Sequence, residues 1–315
     1  MLKYIFMRLL AMIPIVLAVI FIIFLILYVT PGDVAAIILG AEFTPEAAHA
    51  LREDLGLNRH FIVQYLDYIW GLARGDLGTS FITRAPVMDQ IANRFPPTLV
   101  LVIVSMIFCT VISIPIGIMS AVKPNSIASN FWSAFSMIGL AMPNFWLALM
   151  FILLFAVNLG WLPASGSLTP TGIILPAVTM GISFMAGTMR MTRSAMLESL
   201  HQDYIRTARA KGVSRRDVIN KHAMRNAWLP VVTIIGLNMG MLLGGAVVIE
   251  NVFAFPGMGR LLVVGVTTRD TPTVLACLVV MAVCIAVCNL IVDVVYAYID
   301  PRVKSMYSVG RKKHE

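Results

Sequence analysis

Apolar residues in this chain come in long runs, each close to the ~20 residues a helix needs to cross a hydrocarbon core of roughly 30 Å. Six such runs stand out: Leu9–Val29, Thr98–Val122, Phe131–Leu159, Ile173–Met189, Leu229–Ile249 and Val274–Ile299. The first contains no charged residue, and Gly181, Ser183 and Gly187 dilute the fourth. The pattern predicts an all-α integral membrane protein of six transmembrane helices, forming a single transmembrane domain over residues 1–315.

The connections are uneven. Residues 31–97 make the one long connection on what is expected to be the outer side. Thr44-Pro45-Glu46 is a helix-start signal, and Leu51, Leu55, Ile62, Tyr65, Leu66, Ile69 and Trp70 suggest short amphipathic helices. Gly75-Asp76-Leu77-Gly78-Thr79-Ser80 then breaks the pattern. The expected product is a small helical cap, which either docks a partner or seals the ends of the spans. Gly160–Gly172 is short and polar. Asn251–Thr273 contains the turn Phe253-Ala254-Phe255-Pro256-Gly257-Met258-Gly259-Arg260, and then the apolar Leu261–Val266, too short to span. Such a stretch fits a re-entrant or interfacial segment. Pro115 and Pro143 are expected to kink the second and third spans, as hinges or as fixed packing features. Gly236, Gly240, Gly244 and Gly245 allow close approach in the fifth span, at a subunit interface or a packed gate.

Composition and charge agree with the membrane assignment and orient it. The chain is 59% hydrophobic and 13% charged, against about 25% charged in soluble domains. Of 24 Lys and Arg, seven (Arg52, Arg59, Arg74, Arg84, Arg94, Arg260 and Arg269) fall in the connections on one side. The other side holds Lys3, Arg8, Lys123, nine bases from Arg190 to Arg225, and Arg302, Lys304, Arg311, Lys312 and Lys313. The basic side is the cytoplasmic one, so both termini are expected inside. This asymmetry also accounts for the net charge of +8, leaving no reason to invoke nucleic acid. The first run is longer than the roughly 7–15-residue core of a signal peptide and is expected to stay as an uncleaved span.

The most informative connection is the cytoplasmic loop 190–228. Asp203–Ala210 reads as a short helix that Gly212 can end through a positive φ. Ser214 caps a second helix, with Asp217 three residues on as its capping partner. Pro230 follows near the start of the fifth span. Two short helices joined at Gly212 would form a rigid knob across the inner mouth, able to transmit force.

Resident chemistry is hard to find. Cys109, Cys277, Cys284 and Cys288 all lie in spans, without the mixed partners of a metal site. No Gly-Lys pair exists, so no P-loop is present. There is no His-Glu-x-x-His or Gly-x-Ser-x-Gly, and none of the five histidines lies in a predicted span. Glu250 and Asp293 sit near span ends, which gives little support to an ion-coupled secondary carrier or a proton relay. Energy for any active transport would come from another subunit or an ion gradient.

Asp203-Tyr204-Ile205-Arg206-Thr207-Ala208-Arg209-Ala210-Lys211-Gly212, ending later at Leu229-Pro230, resembles the cytoplasmic loop of permease subunits of bacterial ATP-binding-cassette importers for dipeptides, oligopeptides, glutathione and nickel. Relative to the general loop pattern, Glu-Ala-Ala-x-x-x-Gly, this subgroup has Arg-Thr in place of Glu-Ala and a longer spacing before Leu-Pro. Pro31-Gly32-Asp33, Gly75-Asp76-Leu77-Gly78, Met142-Pro143-Asn144-Phe145-Trp146, Phe255–Arg260 and Val292-Asp293 to Asp300-Pro301-Arg302 are similar as well, so the likeness covers nearly the whole chain. Arg269-Asp270-Thr271-Pro272 departs, with Thr where relatives often carry an aromatic. The resemblance implies an inner-membrane importer in which a second permease subunit completes the pathway. Two cytoplasmic ATP-binding subunits would hold ATP and Mg, and an extracytoplasmic substrate-binding protein would deliver cargo. This chain would hold no cofactor or metal and catalyse nothing. Its coupling residues would be Asp203, Tyr204, Arg206, Thr207, Ala208, Ala210 and Gly212. Di- or oligopeptide is the expected cargo, with glutathione or a nickel chelate as the alternative.

Overall fold

The computed structural model describes residues 2–30 and 32–299. Pro31, Asp300-Pro301-Arg302 and the C-terminal bases beyond them lie outside the described residues. Helices account for nearly all regular structure, and no strand occurs among the described residues; Thr79 and Pro86 form an isolated bridge. Among the described residues, five helices are long and apolar enough to span a membrane, or six if one bent pair counts as a span. Two compact units are present. One joins Met1–Leu99 to Ala254–Cys284; the other holds Val100–Phe253 and the chain from Ile285 onward.

The first unit opens with α1 (Leu2–Val29), then α2 (Val34–Leu39), α3 (Pro45–Asp54) and α4 (Phe61–Ala73). The start signals at α2 and α3 work as local chemistry dictates. Asp33 accepts from the Ala35 N–H, and Thr44 accepts from the Ala47 N–H ahead of Pro45. The α4 helix lays Phe61, Tyr65, Tyr68 and Leu72 against Ile20 and Phe24 of α1 and Leu275 and Val279 of the last helix. The rings of Phe21, Phe24 and Tyr28 meet Phe61 edge-on at 5.1–5.9 Å between centroids, a favoured geometry for aromatic quadrupoles.

Next comes α5 (Val87–Val122), which begins well before the predicted second span and runs through Pro115 unbroken. The third span is not one rod. It is divided into α6 (Ile127–Ala141) and α7 (Asn144–Phe151), bent by 106° across the Met142–Pro143 break, and a π turn continues α7 over Ile152–Asn158. Pro143 supplies the stop, since the residue before a proline is pushed out of the helical region; Met142 has ψ 129°. Beyond it run α8 (Ile174–Leu200) and α9 (Asp203–Ala210). The one-turn α10 (Arg215–Asp217) passes through a π turn, Val218–Ala223, into α11 (Met224–Val252). The predicted second loop helix and fifth span are therefore one continuous stretch, and Pro230 lies inside α11 instead of at its start. The chain closes with α12 (Met258–Thr267), too short to span, and α13 (Thr271–Ile299).

Small residues set the packing in the second unit. A Cβ on Gly117 of α5 would come within 2.8 Å of the Met189 carbonyl of α8, and one on Gly181 of α8 would come 2.7 Å from the Phe108 ring. Such contacts are how transmembrane helices associate without a hydrophobic driving force. Asn238 of α11 donates to Thr188 Oγ1 of α8 (3.0 Å), and Cys109 of α5 touches the same hydroxyl at 3.8 Å. Among the fifth-span glycines, Gly236 faces Val292 and Gly240 faces Asn289 and Ile285 of α13, while Gly244 and Gly245 face open space. Two of these glycines thus serve packing within the chain.

Candidate coupling surface

Residues Asp203–Gly212 form a short helix, α9, and its C-terminal turn, and the two faces differ sharply. Ile205 and Ala208 are buried. They join Ile114 and Ala121 of α5, Ala195 and Met196 of α8, Val218 and Ala223 of the π turn, and Met224, Ala227 and Val231 of α11 in one apolar cluster. The opposite face is open: Asp203, Tyr204, Arg206, Thr207, Arg209, Ala210, Lys211 and Gly212 are all exposed. Of the seven residues assigned from sequence, six therefore share an accessible surface, and Ala208 turns inward as an anchor. Its partner Ile205, the most buried residue of the helix, was absent from that set. The signal was present, because positions 205 and 208 are an apolar pair at i, i+3 in a mostly polar octapeptide.

The helix stops where local chemistry requires. Gly212 has φ 76°, a conformation open to glycine and costly for residues with a Cβ. The Val213 N–H bonds the Ala208 carbonyl at 3.2 Å and the Gly212 N–H bonds the Arg209 carbonyl at 3.0 Å, the pair of bonds that defines a Schellman cap. Val213 then packs on the same apolar cluster, so the turn is fixed from both sides. Ser214 Oγ accepts from the Asp217 N–H at 3.2 Å and donates to the Asp217 carboxylate at 2.8 Å. Lys221 pairs with that carboxylate at 2.7 Å. The capping pair expected from Ser214 and Asp217 is thus formed. Asp203 lies 3.8 Å from Arg206, both almost wholly exposed, an arrangement worth little to stability. Their exposure leaves both side chains available to a partner.

Arg206, Arg209, Lys211, Arg215, Arg216, Lys221 and Arg225 are exposed around this helix and the α10–α11 junction, against Asp203, Asp217 and Glu198. The surface is basic. No group of three or more metal-ligating side chains occurs among the described residues.

The motifs at Pro31–Asp33, Gly75–Ser80 and Arg269–Pro272 belong to the first unit. Asp270 caps α13 and is buried. It accepts from the Phe81 N–H (2.8 Å), from Thr273 Oγ1 (2.7 Å) and from Ser80 Oγ. Gly75–Ser80 and Arg269–Pro272, some 190 positions apart, are thereby tied together. Arg269 packs its guanidinium over Gly32 and donates to the Thr30 carbonyl at 3.0 Å. Asp33 holds Arg52 through both carboxylate oxygens. The Arg52 guanidinium beside it keeps the Asp33 carboxyl below the usual carboxylate range, more than offsetting its partial desolvation.

A family described as "Binding-protein-dependent transport system inner membrane component" matches residues 113–305, and its N-terminal counterpart matches residues 1–102. The glutathione transport system permease protein GsiC of Salmonella typhimurium (strain LT2) is 42% identical over 304 residues, covering 96% of this chain and 99% of its own. The dipeptide transport system permease protein DppB of Alkalihalophilus pseudofirmus is 42% identical over 332 residues, covering 96% of this chain and 100% of its own. Among solved structures, a chain of the inward-facing MetNI methionine ABC transporter superposes with a TM-score of 0.56 at 22% identity, over 68% of this chain and 97% of that one. That last likeness is one of fold.

Proposed function

The chain belongs to the inner-membrane components of binding-protein-dependent transport systems, and on that premise we propose that Asp203–Gly212 is the element through which ATP-binding subunits drive it. It is a multi-pass permease subunit of an ABC importer in the bacterial inner membrane. Importers of this kind work with ATP-binding partners and a substrate-binding protein. We further propose two ATP-binding subunits and a second permease subunit around this one, with both termini cytoplasmic and ATP and Mg held by the partners.

One observation carries the coupling assignment. Ile205 and Ala208 bind α9 into the same apolar cluster as α5, α8 and α11, while the rest of the helix stays exposed. A partner pressing on Asp203, Tyr204 or Arg206 would therefore move the bundle end, since a packed interior transmits displacement without absorbing it. In the proposed cycle, ATP binding closes the partner pair, α9 moves as a rigid body, and the attached helices rock between outward and inward access. Asp203→Arg and Gly212→Pro should abolish uptake while the chain still inserts and assembles. Normal uptake by both variants would remove the assignment.

For cargo we propose short peptides, dipeptides and oligopeptides first. Glutathione, itself a tripeptide, is a second reading favoured by the GsiC relatives. Uptake of labelled dipeptide, labelled glutathione and nickel, each in a strain lacking this chain and in the complemented strain, separates these cargoes.

A further inference from the structure

Within the first unit, residues of α1 to α4 and of the start of α13 surround a cavity of about 420 Å³. Part of its lining is apolar, supplied by Phe24 and Tyr28 of α1 and by Phe81 and Leu275. The polar part carries charge of both signs, with Arg52, Arg59 and Arg269 set against Asp33 and Asp67. Arg52 and Arg59 flank the turn that ends α3, and Gln64 of α4 fixes that turn by donating to the Leu57 and Arg59 carbonyls at 3.1 and 2.8 Å. Arg59 meets Asp67 at 3.1 Å with side chains 64% and 60% exposed, whereas those of Arg52 and Asp33 are only 38% and 28% exposed. The first pair thus sits nearer to solvent than the second. Arg269 reaches the cavity from a backbone φ of 57°, which residues with a Cβ rarely adopt. Such strain collects at ligand-holding positions and persists where the surroundings over-determine it. Here the buried Asp270 does so, with its N–H on the Gly265 carbonyl at 2.8 Å and its carboxylate holding Ser80 and Phe81. Tyr68 is an independent sign. It lines the same cavity, and its hydroxyl is buried without a hydrogen-bond partner, a condition that in a folded protein asks for a ligand or a water.

We propose that this cavity binds the zwitterionic backbone of a short peptide, its terminal carboxylate among Arg52, Arg59 and Arg269, its terminal ammonium at Asp67, and a side chain against Phe24, Tyr28 and Phe81. The inference rests on the peptide reading of the cargo and on cytoplasmic termini, which put this end of α1 outside. Charge selects the ligand class. A guanidinium fork matches a carboxylate in two parallel bonds, and Asp33 already shows that match on Arg52. A lone anion would meet two carboxylates in the same wall, and a lone cation three guanidinium groups. A molecule charged at both ends satisfies both. The pair that must open to admit it is Arg59 with Asp67, and an ion pair this exposed gives way at little cost. Size agrees, since small-molecule sites run from roughly 300 to 1,000 Å³, and this cavity lies toward the lower end of that range, as a dipeptide requires.

Equilibrium binding of radiolabelled alanyl-phenylalanine to the full chain in phosphatidylcholine nanodiscs, without the substrate-binding protein, tests the site. Saturable binding is expected, with the C-terminal amide and the N-acetyl form each weaker by roughly tenfold or more, as loss of one charged contact implies. Asp67→Asn should weaken the free dipeptide by a similar factor and bind it no better than the N-acetyl form. Arg59→Gln should likewise erase the preference for the free carboxylate over the amide. Both positions are exposed, so the fold does not depend on them; Arg269→Gln should weaken binding further. No saturable binding, equal binding of the three peptides, or full discrimination retained by both exposed variants would each overturn the proposal. So would a phospholipid, detected by native mass spectrometry, that depends on Arg269 and that the dipeptide does not displace. Dipeptide uptake by the complemented strain without binding to this chain would leave the cargo reading intact and remove the site. Charge-dependent binding with no dipeptide uptake would keep the site and remove the cargo reading.

Discussion

At the scale of single residues, glycine and aspartate do the positional work. Gly212 adopts φ 76° with open space where a Cβ would point, so backbone strain alone decides what is tolerated. A left-handed residue with a Cβ costs about 1–2 kcal/mol, asparagine less. Gly212→Val should therefore impair uptake strongly and Gly212→Asn much less, measured side by side at matched membrane levels. Asp33 makes a pH prediction with a definite sign. Its folded carboxyl titrates below the ordinary aspartate value because Arg52 favours the anion. The resulting stability is fully present above that value and is lost as pH falls through the lower, folded one. Hydrogen-exchange protection factors in α2 and α3 should be high at neutral pH and fall on acidification below about pH 4, and Asp33→Asn should remove that pH dependence.

Element by element, the legible features were the local ones. Long apolar runs, the Thr44 and Ser214 caps and the positive φ at Gly212 depend on neighbours within one turn, and each can be read from adjacent residues. Non-local features were not legible. Nothing near Asp270 announces that it is buried against Ser80 and Phe81 from a distant loop. Nothing near Ala208 states that its side chain turns into the cluster while Arg206 and Thr207 face out, although the i, i+3 pairing with Ile205 hinted at it. Pro115 and Pro143 look alike in sequence, yet α5 absorbs the first and the chain breaks by 106° at the second. The α5–α8 contact makes a further prediction. Gly117→Leu should drive a side chain into the Met189 backbone, at a cost of about 1–3 kcal/mol or more for overpacking, seen as a lower unfolding temperature in detergent. Ile205→Ala, which empties a fully buried site, should cost about 2–5 kcal/mol if α9 stays docked. Should α9 instead detach, protease sites at Arg206 and Arg209 would open while the spans remain intact.

For the whole molecule, the proposed division is between a permease whose sequence carries no Gly-Lys pair of a P-loop and partners that supply the energy. Reconstituted alone in vesicles, this chain should not accumulate labelled dipeptide against a gradient; with its second permease and ATP-binding subunits, ATP inside and binding protein outside, it should. Uphill accumulation by the isolated chain would contradict the division outright. One architectural detail shapes how such energy would travel. Arg215–Val252 is continuous over 38 residues, running from the capped turn after Gly212 through a π turn and Pro230 to the far end of the fifth span. A displacement applied beside Ser214 would therefore act on a lever, whose far tip near Glu250 swings opposite to its near end about whatever pivot α8 provides. The π turn at Val218–Ala223 and the interior Pro230 are where a register shift or a bend along that lever could shorten the stroke.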